Sequence, residues 1–130
     1  MSGQTEPNDS VKHLELGKEM MAKGQLQEAL THFHAALEKD PHNYLTLYRR
    51  ATVYLAQGRA RAAIEDLNKV IEIQPDFISA RSQKGNILLK LGRLDEAHIE
   101  LEKVVSTVLC LNSYLYNTNT SYLAEKRLHS

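Results

Sequence analysis

Six histidines, one cysteine and several adjacent carboxylates are the residues of this 130-residue chain whose types could do chemistry. The histidines are His13, His32, His34, His42, His98 and His129. A metal site on one helix needs two of them at i, i+4 on one face, and no pair has that spacing. His32 and His34 stand two apart, which turns them to different faces of a helix. Cys110 has no base or cation beside it in the sequence to draw off its proton, and a single cysteine closes no internal disulfide. Glu65-Asp66 and Asp95-Glu96 fall on helical stretches and read as solvated faces or helix-start charges. No phosphate loop, GxSxG elbow or dinucleotide fingerprint occurs. The expectation is a chain that is not an enzyme, with no catalytic residue, no metal and no cofactor.

The elements that carry these residues are set by a period. Gly24, Gly58 and Gly92 are spaced by 34, as are Ala29, Ala63 and Ala97, and Pro41 and Pro75. Apolar residues recur at helical spacing on both sides of each glycine, and each proline stops the helix before it. A fixed period of this length marks stacked helix–turn–helix units. The pattern predicts helices near 11–23, 26–39, 44–57, 60–73, 78–91 and 94–108, with Ser10 and Asp76 as N-caps. Gly17, Ala51 and Gly85 fill one close helix crossing, and Ala29, Ala63 and Ala97 the other, because small residues let two backbones approach. Met20, Tyr54 and Leu88, then Phe33, Leu67 and Leu101, then Ala36, Val70 and Val104 pack around them.

These positions are those of the tetratricopeptide repeat (TPR), and the chain resembles that family over about residues 10–105. The departures are mild. His13, Leu47 and Arg81 stand where the motif favours tryptophan, and Arg50 and Lys84 where it favours leucine. The resemblance implies an all-α fold: a TPR α-solenoid of three helix-turn-helix repeats plus an irregular C-terminal tail. The division is 1–9 as a disordered N-terminus, 10–43, 44–77 and 78–111 as the repeats, and 112–130 as a divergent tail. It also implies a concave groove lined by the first helix of each repeat, which receives an extended peptide or a helix. The groove residues in this register are Val11, Leu14, Lys18 and Met21, then Leu45, Tyr48, Arg49, Thr52 and Leu55, then Ser79, Ser82, Gln83, Asn86 and Leu89. Leu14, Met21 and Leu55 could equally fill the core between repeats. Some TPR co-chaperones clamp the terminal carboxylates of Hsp70 and Hsp90 with Lys, Asn, Asn, Lys and Arg. Leu14, Lys18, Arg49, Ser79 and Gln83 hold those positions here, so such a clamp is not expected.

A narrower likeness rests on Lys12-His13-Leu14-Glu15-Leu16-Gly17-Lys18, Phe33-His34-Ala35-Ala36, Tyr48-Arg49-Arg50-Ala51-Thr52-Val53 and Leu94-Asp95-Glu96-Ala97. These runs resemble the N-terminal TPRs of a DnaJ-family co-chaperone of the endoplasmic reticulum and the unfolded protein response. That co-chaperone is also described as an inhibitor of the interferon-induced, double-stranded-RNA-activated kinase. The likeness implies groove binding of unfolded or misfolded polypeptide. It leaves a second reading, a scaffold docking one specific partner such as a protein kinase. No His-Pro-Asp tripeptide of a J domain occurs, so Hsp70 is expected as a partner only indirectly.

Composition bounds the rest. Sixteen basic residues balance sixteen acidic ones, which gives no pull toward nucleic acid or an anionic membrane. No run approaches the roughly 18 apolar residues of a membrane span. The polar start lacks the n- and h-regions of a signal peptide, so the chain as written is expected in the cytoplasm or nucleus, while the family it resembles works in the endoplasmic reticulum lumen. After Val105 the pattern breaks: Leu109 stands where a third proline is due. The last helix is expected to run on to about residue 111. The tail then reads as a foreign ending on a truncated array or as a divergent capping helix. An uncapped end leaves its last apolar face wet.

Overall fold

The computed structural model describes residues 9–110, and its helices follow the 34-residue register. They are α1 (Asp9–Ala22), α2 (Leu26–Lys39), α3 (Tyr44–Ala56), α4 (Ala60–Ile73) and α5 (Ile78–Lys90). A sixth, α6, runs from 94 to 110, the limit of the described residues. No strand occurs among the described residues. The tail at 112–130 lies outside them.

Glycine makes each turn within a hairpin for a reason the backbone shows. Gly24, Gly58 and Gly92 have φ of +76°, +74° and +76°, the left-handed region in which a Cβ is strained. The following N–H then reaches back five residues: Gln25 to the Met20 carbonyl at 2.8 Å, Arg59 to Tyr54 at 2.8 Å and Arg93 to Leu88 at 2.9 Å. This satisfies carbonyls that a helix end would leave open. Between hairpins the helix ends differently. Asp40 and Gln74, each followed by proline, close α2 and α4 with N–H bonds to Ala36 and Val70.

Two capping expectations fail. Ser10 lies inside α1, which already includes Asp9, so residue 9 is helical. Phe77, not Asp76, holds the cap position of α5 and makes no side-chain cap bond. The side chain that does cap is Asn43, whose Oδ1 accepts from the N–H groups of Leu45 at 3.2 Å and Thr46 at 3.3 Å.

Packing alternates through the chain. α1 packs on α2, α2 on α3, α3 on α4 and α4 on α5, and α1 also reaches α3. The core is continuous: Phe33, Leu67, Val53 and Val70 are fully buried, and Ala29, Ala63 and Ala97 sit at the crossings with no exposed surface. Each fully buried side chain of this size contributes about 1.5–3 kcal/mol of transfer free energy. Gly17 and Gly85 stand where α2 approaches α1 and α6 approaches α5 most closely. A Cβ on Gly17 would lie 2.7 Å from Cδ1 of the Phe33 ring, and one on Gly85 2.6 Å from Cδ2 of Leu101.

Candidate functional site: a concave face over a polar seam

The first helices α1, α3 and α5 bring the expected groove residues into rows. One row is Met21, Leu55 and Leu89, spaced by 34 and apolar in all three repeats. A second is Val11, Leu45 and Ser79. Val11, Leu45 and Leu89 keep 49%, 47% and 44% of their surface exposed, which is more than structural packing needs. Leu14, Met21, Tyr48 and Leu55 behave differently: they are half-buried and pack against the core. These four therefore support the core while showing one edge outward.

Three of the expected groove residues make specific contacts. Tyr48 stands edge-on to Phe77 with ring centroids 5.1 Å apart, and Tyr44 meets the same ring at 5.4 Å. Thr52 donates its hydroxyl to the Tyr48 carbonyl at 3.1 Å, so it spends its donor on its own helix. Lys18 is paired with Glu15 at 2.9 Å in the open, a contact of small worth in water. Arg49 and Asn86 are exposed. Leu55 and Asn86 share a cavity of about 440 Å³ with Gly58, Ala60, Gln83, Ile87, Lys90 and Leu91. Gln83, which lines this cavity, and Gln57 each have a buried Oε1 atom without a hydrogen-bond partner.

A seam of ionisable groups runs between the two helices of each hairpin. In the second repeat Arg50 forms a two-pronged pair with Asp66: Nε to Oδ2 at 2.7 Å and Nη2 to Oδ1 at 2.7 Å. Arg50 also places Nη1 3.0 Å from Nδ1 of His34, so one guanidinium ties α2, α3 and α4. Its cation is held by the Asp66 hydrogen bond, which outweighs partial burial and raises its pKa. In the third repeat Glu100 accepts from Lys84 at 3.0 Å and from Arg81 at 3.2 Å. Burial pushes the Glu100 carboxyl up, but the hydrogen bond and charge of Lys84, with Lys103 and Arg81, bring it below the ordinary value. In the first repeat the same slot holds two imidazoles, His13 and His32, with Nδ1 atoms 3.2 Å apart.

Asp66 corrects a reading made from the sequence. It is 2% exposed, not a solvated surface carboxylate, and its neighbour Glu65 alone faces water. His13 and His32 are half-buried and meet each other. The turning of His32 and His34 to different faces holds: one meets α1, the other α3.

Comparison with known proteins settles the family. The tetratricopeptide repeat model matches residues 20–76 and 54–107. The chain belongs to the tetratricopeptide repeat family.

The TPRs are 56% identical over 99 residues to DnaJ homolog subfamily C member 3 of Bos taurus and 54% identical to the Homo sapiens protein, covering 76% of this chain in each case. The chain spans about a fifth of the length of those relatives, 20% in both. Among solved structures, the P58(IPK) TPR domain is similar at 55% identity and a TM-score of 0.72, over 76% of this chain and 28% of that one. The first TPR of Spaghetti (RPAP3), bound to an HSP90 peptide, shares the fold at 22% identity and a TM-score of 0.73, over 78% of this chain and 81% of that one.

The seam escaped a reading by motif because TPR consensus positions treat each helix singly. A signal was present. Arg50 and Asp66 are 16 apart, and so are Lys84 and Glu100. Equal spacing of opposite charges across the hairpin turn places them opposite each other in the folded pair. No described helix is long and apolar enough to cross a membrane.

Proposed function

We propose that this chain is a co-chaperone-type protein-binding module whose concave face takes extended apolar segments of unfolded or misfolded polypeptide. The observation that carries the reading is the row Met21, Leu55 and Leu89, apolar in every repeat, flanked by the exposed Val11 and Leu45. A surface that must hold many sequences does best with adaptable apolar contacts and few fixed charges. The likeness to DnaJ homolog subfamily C member 3 supports a co-chaperone-type role. Individual side chains contribute roughly 1.5–3 kcal/mol on burial. Ordering costs consume much of that, so affinity should be micromolar or weaker.

The test is suppression of aggregation of a chemically denatured substrate. Leu45→Glu with Leu89→Glu charges the face at two exposed positions, which spares the core that Tyr48 and Leu14 support. The parent should suppress aggregation with little dependence on salt. The double variant should lose that suppression while keeping its helicity by circular dichroism, and Arg49→Ala should retain most of it. Full activity in the folded double variant, or none in the parent, would overturn the reading and favour docking of one specific partner such as a protein kinase.

A further inference from the structure

The slot between the two helices of a hairpin is filled three different ways. Residues 47, 50 and 66 are Leu, Arg and Asp; residues 81, 84 and 100 are Arg, Lys and Glu. In both cases a buried carboxylate meets at least one cation. At the equivalent places of the first hairpin stand His13, Leu16 and His32. The carboxylate has become an imidazole and the nearer cation a leucine, so the charge pairing of the other two slots is gone. What remains is two ring nitrogens, one from α1 and one from α2, facing each other at 3.2 Å with ring centroids 5.5 Å apart and planes tilted by 31°.

We propose that His13 and His32 form a bidentate site for a divalent transition-metal ion, with zinc as the reference case, that clips α1 to α2. Imidazole nitrogen binds zinc at about 2.0–2.1 Å, and two tetrahedral ligands at that length lie about 3.3 Å apart. The observed separation matches that bite, and because the centroids are 5.5 Å apart the rings face each other head-on across a hydrogen bond, so binding breaks this bond and turns both rings about their side-chain torsions until the two lone pairs converge on the ion. Both rings bind through Nδ1. Of two neutral rings, the one that donates the Nδ1 hydrogen bond moves its proton to Nε2 and becomes a ligand; the other already carries its proton on Nε2. No net proton leaves the neutral pair. Two protein ligands leave the remaining positions to water, and among the described residues no group of three or more His, Cys, Asp or Glu is arranged to fill them. The site is therefore a reversible clip across the hairpin and not a closed structural centre. The clip does not depend on what the concave face binds.

Binding to the folded state alone raises stability with ligand concentration, and this makes the site measurable without any partner protein. The experiment is thermal unfolding of the untagged chain with zinc chloride alone, beside calorimetric titration. One zinc ion per chain and a midpoint raised by several degrees at saturation, reversed by EDTA, are expected. His13→Gln and His32→Gln should each weaken zinc binding at least tenfold, while His34→Gln and His98→Gln leave it unchanged. Should either glutamine variant fold poorly, His13→Arg with His32→Glu rebuilds the arrangement of Arg81 and Glu100 and removes both imidazoles. That chain should fold and show no zinc response. No zinc-dependent rise in the parent, a rise that survives in the double variant, or one that appears only as chain concentration increases would overturn the proposal.

Discussion

The second helices of the first two hairpins and that of the third follow one pattern and meet different surroundings. α2 lies between α1 and α3, and α4 between α3 and α5. Their pattern residues Phe33 and Leu67 are fully buried. α6 packs on α5 through Glu100 and Leu101, but among the described residues no helix follows it. Leu94, Val105 and Leu109 remain 62%, 55% and 60% exposed, and Leu101 is half-buried where Phe33 and Leu67 have no exposed surface. One neighbour buries half of a repeat helix, and the other half needs the next repeat. A repeat pattern thus specifies which face is apolar without specifying that it will be dry.

Breaking the seam in the two settings gives the largest expected contrast. Asp66→Ala strands the Arg50 guanidinium between three helices. Removing one partner of a buried pair costs about 3–5 kcal/mol, and the low end applies because the Arg50 side chain is 16% exposed. Glu100→Ala frees Arg81 and Lys84 in a wetter slot and should cost about 1.5 kcal/mol. Urea midpoints of the two variants measure the difference. Equal losses would mean that the end of the array is as dry as its middle.

The two glycines that share one register position test the same contrast through packing. A methyl group on Gly17 meets the Phe33 ring, which has no room to retreat, and overpacking of this kind costs about 1–3 kcal/mol. A methyl group on Gly85 meets the branched end of Leu101, which is half-buried and free to swing outward. There the helix gains about 0.5–1 kcal/mol from losing a glycine, so Gly85→Ala should lie close to the parent. Chemical denaturation of both proteins decides it, and a large loss at Gly85 would show that Leu101 is as fixed as Phe33.

The smallest effect is on acid sensitivity, and it separates the contact between α2 and α3 from the third hairpin by pH. Burial first, and then the Arg50 charge, hold the His34 imidazole below its ordinary value of 6.5. The unfolded chain therefore takes up a proton that the folded chain resists. His34 adds stability above pH 6.5, which is lost as pH falls through its lowered folded value. Glu100 is lowered from 4.5, so its contribution is present above pH 4.5 and is lost only in stronger acid. Midpoints followed from pH 7 to 3 should decline in two stages. His34→Gln should flatten the upper stage and Glu100→Gln the lower one.

The sequence by itself determined the helices and their turns. Expected spans such as 26–39 and 60–73 coincide with α2 and α4, because apolar periodicity, left-handed glycines and prolines act within a few residues. It determined the crossings too, since Gly17, Ala51 and Gly85 declare themselves at a fixed period. It was less informative at caps, where Asn43 bonds its own backbone but Asp76 gives way to Phe77 at the cap position. It gave the register of the expected groove residues, while the packing of Leu14, Tyr48 and Leu55 against the core followed only from their neighbours. Only the tertiary structure decided the chemistry of the seam. His13 and His32 are 19 residues apart and Arg50 and Asp66 are 16, distances over which no helical periodicity links two side chains. The turn folds one helix back on the other, and at that point a carboxylate indistinguishable from Glu65 by local sequence loses its water and gains a partner. Burial is a property of the neighbouring helix, which is why Asp66 is buried between helices while Leu109, as apolar as any core residue, stays exposed on α6.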